Sequence, residues 1–355
     1  MMKSEARIAQ PVAGRATSAR RARLRSRRRG AAVQAFPLEL PSRGTPEGTG
    51  RAVGEALDGG AGVVVVRGLQ LAPADLVALT AAVGGSDAAV EDNPGVPERF
   101  LEPGLPQVQR LGNVPGALFV PQPALERDDG TARSLAFDPA RASTSPVWHT
   151  DQVFRDPPPR GSILYCVEAP AGGGSDTCFA DTVAAAAALP DAERERWRRR
   201  LAVCSYAHHN AKIRRRQGAD VPVIESAVWP PVLRPVVSEH PTTGADTLYC
   251  FSSAVCALVD AGDASRLEEL GLEAWEVHGV EDDSAAEMRG LLAFATQERF
   301  VYRHKWRAGD LVAWDNHGTI HAATAFDEER DRRLVLRTTF QGGPQQLGGS
   351  TPSSR

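Results

Sequence analysis

The sequence predicts a mainly β fold with peripheral helices, built around a double-stranded β-helix, or jelly-roll, core. Two observations carry that expectation. Apolar and β-branched runs are short and bounded by turn residues, with 33 Gly and 26 Pro among the 355 residues. Helical patterns are few and read as additions around the strands. No internal repeat is present, and the strand spacing is too irregular for a propeller.

Taken in order, residues 50–57 read as a short helix broken by Gly59-Gly60. The run Val63-Val64-Val65-Val66 is a buried strand, being continuous, β-branched and closed by Gly68. Residues 72–83 form a helix with Leu76, Leu79 and Val83 on one face. Residues 92–107 read as a loop, and residues 107–114 as a strand. The polar, turn-rich stretch 121–147 is expected to be a mobile loop over a pocket. The three prolines 157–159 are too stiff for helix. A strand at 162–168, a glycine turn at 172–174 and a strand at 177–180 follow. That turn lacks the Lys-Ser/Thr of a P-loop, so nucleotide binding is not expected. Residues 182–201 are helical, interrupted at Leu189-Pro190-Asp191, and their Arg/Glu alternation marks a solvated face. Strands are expected at 202–208, 232–237, 247–251, 300–306, 310–314 and 334–340, with one or two helices within 261–297.

Composition excludes several classes. Apolar content of 42% and charge of 24% are those of a soluble globular chain long enough to bury a large core. The longest apolar patches, 62–66 and 183–189, fall far short of the ~18–20 residues of a membrane helix. Five cysteines, an odd number without CxxC, argue against a disulfide framework or structural zinc. Reduced thiols point to an intracellular, cytoplasmic location. Residues 1–34 form a separate segment, transit-like or disordered, with ten basic residues and Glu5 alone among acids in its first thirty. As a transit peptide it implies an organelle. The remainder holds 31 basic and 43 acidic residues, a net of −12, a poor match to nucleic acid. The globular domain is expected over 35–345, with a flexible tail at 346–355.

The chemistry centres on Trp148-His149-Thr150-Asp151. An imidazole and a carboxylate two apart on an extended segment face one side. A third ligand is sought in residues 314–321, where His317 and His321 compete. Two His and one carboxylate with an open side form the facial triad of non-haem Fe(II) oxygenases. His208, His209, His240, His278 and His304 read as core or surface histidines. Arg333 and Arg337, four apart on a strand-like segment, share a face and need anionic partners, whereas Arg332 suits a surface ion pair.

These residues sit in the stretches WHTDQVFRDPPPRGSILY, GGGSDTCFADT, HPTTG, FVYRHKW, GDLVAWDNHGTIH and RRLVLRTT. In that order, across about residues 63–340, they resemble the taurine dioxygenase family of Fe(II)- and 2-oxoglutarate-dependent oxygenases. The pattern is nearest the 2,4-dichlorophenoxyacetate dioxygenase branch. The resemblance implies His149, Asp151 and His321 as iron ligands, with Thr177 and Arg333 on the distal carboxylate of 2-oxoglutarate. It places Arg337, together with Asn93, at the substrate. It implies a small acidic substrate and O2 as partners, succinate and CO2 as products, and hydroxylation as the outcome. Homo-oligomerisation is compatible with it. Asp151 argues against a halogenase, which would carry a small residue there. Three departures touch the substrate side: His317 where Arg is frequent, one extra residue between His321 and Arg333, and Leu336 where His is common. A non-catalytic metal- or ligand-binding jelly roll is the alternative. A nucleic-acid-modifying oxygenase has only the basic segment in its favour.

Overall fold

A computed structural model describes residues 36–86, 89–93, 96–119, 148–217, 229–263 and 283–341. The expectations for residues 1–34, for the loop 121–147, for the tail 346–355 and for much of the helical region 261–297 lie outside these. By internal contacts the chain separates into residues 1–34 and 35–355.

The first half of the described chain holds β1 (Leu38–Leu40), α1 (Pro46–Asp58), β2 (Val63–Val66), α2 (Pro73–Gly84), β3 (Leu101–Glu102), β4 (Leu105–Gly112), β5 (Gly161–Glu168) and β6 (Thr177–Asp181). Thr45 caps α1 by accepting from Gly48 N at 3.0 Å, and Pro46 fits the first helical turn. Gly85, at φ 88°, ends α2 in the left-handed conformation. The two helices cross closely at Gly50, where an added Cβ would lie 2.3 Å from Leu79 O. The expected loop 92–107 thus contains β3 and the start of β4.

The second half holds α3 (Thr182–Ala188), α4 (Asp191–Arg198), β7 (Arg200–Cys204), α5 (Tyr206–Gln217), β8 (Val232–Pro235), β9 (Val237–Glu239), β10 (Asp246–Leu248), β11 (Val255–Asp260), α6 (Asp283–Ala295), β12 (Val301–His304), β13 (Leu311–Asp315), β14 (Thr319–Ala323) and β15 (Leu334–Phe340). The strand expected at 202–208 ends at Cys204. Ser205 accepts from His208 N through its hydroxyl at 3.0 Å, an N-cap that starts α5 and places His208 and His209 on a helix.

A seven-stranded sheet, ordered β1-β2-β13-β5-β15-β4-β3, is antiparallel apart from the β1–β2 pair. A three-stranded sheet, β12-β6-β14, packs on one face of it. The alternation along β2 shows the layering. Val63 and Val65 join Phe179, Val312, Trp314 and Val335 between the sheets, while Val64 and Val66 join Val53, Leu57, Leu76 and Leu79 under the helices. Both faces of β2 are therefore buried, which is why it is apolar throughout. A third sheet, β11-β7-β8, and the β9–β10 pair border a further core with α3, α4 and α6. This is the mainly β, jelly-roll architecture expected from the sequence. Among the described residues no helix is long and apolar enough to cross a membrane.

Candidate active site

His149 and His321 meet by backbone pairing. Each amide donates to the other's carbonyl at 2.9 Å, an antiparallel bridge that adds His149 to the free edge of β14. Directly opposed residues in such a bridge project to the same face. The two imidazole centroids are accordingly 4.1 Å apart. Trp314 and Phe179 lie against His321, with centroids at 4.7 and 6.0 Å.

Asp151 reaches them by a different route from the strand alternation expected of the sequence. The chain leaves the bridge at Thr150, whose amide donates to Phe251 O, and turns at once. Gln152 adopts φ 47°, and Arg155 N closes the turn on Gln152 O at 3.0 Å. Arg234 fixes the turn from β8 by donating to Val153 O at 3.0 Å and to Arg155 O. The carboxylate then points Oδ1 at His149 Nε2 (3.5 Å) and His321 Nε2 (3.7 Å). One ligand atom from each of the three residues lies within 4.8 Å of the others, the one such metal-competent group among the described residues. An ion with bonds of about 2.1 Å, as zinc makes to nitrogen and oxygen, spans both gaps.

The electrostatics suit a cation. Burial pushes His321 down to about 3, reinforced by His149 and Arg337, so its ring is neutral and its lone pair available at ordinary pH. Burial alone would raise Asp151, but its neighbours, Arg337 foremost, outweigh it and hold the carboxylate well below its usual range. Its outer oxygen, Oδ2, accepts from Ser162 Oγ at 2.8 Å and Arg337 Nη2 at 2.7 Å. His149, 28% exposed, marks the open side, whereas His321 and Asp151 are at 10% and 7%. Two nitrogens and one oxygen on one side of an otherwise open position fit Fe(II).

His317 is directed elsewhere. Its ring stacks on Tyr249 at 5.2 Å, and its Nδ1 is 3.7 Å from Asp315 Oδ1. Asp315 is itself taken up by His240, His317 and Arg160. Burial raises it, yet those neighbours bring it down to about 2.

Thr177, the buried first residue of β6, accepts from Trp306 Nε1 at 3.0 Å. Arg333 precedes β15, its amide held by Asn113 Oδ1 at 2.8 Å. Its side chain is half-buried. No carboxylate pairs with it among the described residues, and burial pushes it down to about 10, beside the Cys166 thiol. Arg337 lies further along, where Val335 faces the inter-sheet core and Leu334 and Leu336 face the helices. The register shift against β5 falls on Val167, so the alternation of β15 is kept. Asn93 is buried and donates to Pro106 O at 3.0 Å; among the described residues it makes no hydrogen bond to the three ligands. The bonds of Ser162 and Arg337 to Asp151 went unforeseen, because no spacing in the sequence signals them.

Residues 27–339 match the family described as taurine catabolism dioxygenase TauD, TfdA family. The chain belongs to this family. It is 35% identical over 200 residues to the alpha-ketoglutarate-dependent 2,4-dichlorophenoxyacetate dioxygenase of Cupriavidus pinatubonensis, covering 55% of this chain and 60% of that protein. It is 31% identical over 198 residues to pentalenolactone F synthase of Streptomyces arenae, covering 53% and 60%. The chain thus spans about three-fifths of the length of these curated relatives. The crystal structure of AAD-2 in complex with Mn(II) and N-oxalylglycine superposes with a TM-score of 0.61 at 23% identity, covering 88% of this chain and 98% of that one. A taurine dioxygenase from Burkholderia xenovorans superposes with a TM-score of 0.56 at 23% identity, covering 88% and 93%. At these identities the likeness speaks for the fold.

Proposed function

We propose that this TauD/TfdA-family chain is an Fe(II)- and 2-oxoglutarate-dependent dioxygenase that hydroxylates a small acidic organic substrate, with release of succinate and CO2. The observation that carries the reading is the convergence of His149, Asp151 and His321 into one group of metal-competent atoms; Arg333, which no described carboxylate neutralises, is the candidate for the co-substrate's anion. A half-buried cation without a described carboxylate partner is a site for an anion from outside. When bound, Fe(II) and 2-oxoglutarate supply the oxidising power for the C–H bond, while the protein orients and shields the reactants.

Each residue has a role in this reading. His149 Nε2, Asp151 Oδ1 and His321 Nε2 hold the metal on one side. Arg333 takes the distal carboxylate of 2-oxoglutarate by its two-pronged face. Thr177 accepts from Trp306, which leaves its hydroxyl proton to donate to the same carboxylate. Arg337, whose Nη2 donates to Asp151, is assigned to the acidic group of the substrate through its remaining donors. Asn93 spends its amide nitrogen on Pro106 O and keeps its carboxamide oxygen for the substrate. The name of one relative, an alpha-ketoglutarate-dependent 2,4-dichlorophenoxyacetate dioxygenase, supports a small organic substrate and O2. All five cysteines are buried and none is in a disulfide, which supports an intracellular location.

The test is a screen of small carboxylates, sulfonates and aryloxyacids with Fe(II), 2-oxoglutarate and O2, read by succinate. Succinate formation that needs all three and disappears in Asp151→Ala supports the reading. Its absence from every mixture, with metal binding intact, would leave a ligand-binding jelly roll instead.

A further inference from the structure

Asp151 presents its two oxygens to different partners. Oδ1 faces the imidazoles of His149 and His321. Oδ2 accepts from Ser162 Oγ at 2.8 Å and Arg337 Nη2 at 2.7 Å, and Arg337 Nη2 also lies 3.3 Å from Ser162 Oγ. Strand register builds this triangle. Arg337 on β15 is opposite Leu164 on β5, and Thr339 is opposite Ser162. Arg337 and Ser162 are therefore diagonal neighbours on one sheet face, within reach of one another. The turn after Thr150 lowers the Asp151 carboxylate onto that diagonal.

We propose that Ser162 and Arg337 are positioning residues that restrict Asp151 to metal coordination through Oδ1 alone. The inference rests on the reading of His149, Asp151 and His321 as the ligands. Carboxylates bind metals through one oxygen or two. A metal held by these three residues would need open positions for a chelating keto acid and for O2, and a second bond from Asp151 would take one of them. Two donors on Oδ2, one of them charged, make that swing unfavourable, since charge-assisted bonds are short and strong. Ser162 is fully buried, so water does not readily replace it when it is removed.

The experiment is titration of the purified chain with Mn(II) alone, reading free Mn(II) by electron paramagnetic resonance, with thermal melts to establish folding. Outer partners of metal ligands typically change affinity by about 10–100-fold. Ser162→Ala is expected to raise the Mn(II) dissociation constant about tenfold, and Arg337→Met by more. Arg337→Lys, which keeps the charge but not the fork, is expected to fall between Arg337→Met and the parent chain. The d–d spectrum of the Co(II)-loaded chain, which reports coordination number, should change in Ser162→Ala. A purely structural role would lower the melting temperature and leave that spectrum and the affinity as they were. If folded Ser162→Ala and Arg337→Lys both bind Mn(II) as the parent does, with an unchanged Co(II) spectrum, the positioning role is wrong. Asp151→Ala is the separate control: metal binding that survives it would overturn the ligand set itself.

Discussion

Replacing Arg333 by Met separates a ligand-binding cation from a structural one. The guanidinium is half-buried, pushed down to about 10 by burial, and unpaired with any described carboxylate. At pH 7 it is still protonated, three units below that value, so the unliganded fold carries an unneutralised charge. In the proposed reading, a dicarboxylate that brings its own oxygen pair completes an ion pair there. Removing one member of a buried pair typically costs about 3–5 kcal/mol. At roughly 1.4 kcal/mol per tenfold, Arg333→Met should weaken 2-oxoglutarate by two orders of magnitude or more. Without ligand the substitution should not lower stability, because an apolar side chain of similar length replaces a half-buried charge that no described carboxylate pairs. The assay pairs calorimetric titration of the Mn(II)-loaded chain with 2-oxoglutarate and thermal melts of the unliganded protein. A loss of affinity below tenfold would refute the reasoning. So would a fall in the unliganded melting temperature, which would mean that Arg333 already has a structural partner.

Three further outcomes are expected. Asp151→Ala should lose metal binding by titration while circular dichroism stays unchanged, and His321→Ala should harm metal binding far more than His317→Ala, whose ring lies on Tyr249. His304, brought down to about 3 chiefly by burial and then by Arg67, excludes a proton that the unfolded chain accepts near 6.5. Its contribution is present above that value and is lost as the pH falls towards 3, at about 1.4 kcal/mol per unit; urea unfolding between pH 7 and 4 should show a shallower decline for His304→Phe, and parallel curves would exclude this. Gly50→Ala should destabilise by about 1–3 kcal/mol, as overpacking does, although the same change on an exposed helix stabilises; the added carbon would meet Leu79 O at 2.3 Å, and a raised melting temperature would show that the helices can part.

The parts of the site that were legible are those written in local chemistry. Two imidazoles and a carboxylate in recognisable surroundings could be named, as could two arginines near the end of the chain. Their geometry was not legible, because long-range pairing and chain reversal make it. Period-two spacing predicts His149 and Asp151 on one strand face, but only His149 is paired with a strand. Asp151 arrives through a turn that needs Gln152 at positive φ, which no apolar pattern encodes. The boundary at Ser205 was missed for a related reason. Val203 and Cys204 continue smoothly into Tyr206 as strand formers, and only the serine hydroxyl on His208 N shows that a helix has begun. β14, the strand that carries His321, was also unmarked, since Thr-Ile-His-Ala-Ala has neither length nor clean alternation; its pairing with β6 defines it. The two arginines show most directly what spacing cannot tell. Both were expected to await anions from outside, yet Arg337 already donates to Asp151 and Arg333 is left unpaired. That difference comes from the β5–β15 register, which sets Arg337 beside Ser162 under the turn and leaves Arg333 beyond the end of the strand. In the proposed reading Arg337 braces Asp151 while Arg333 takes the co-substrate, though both belong to one short segment of sequence.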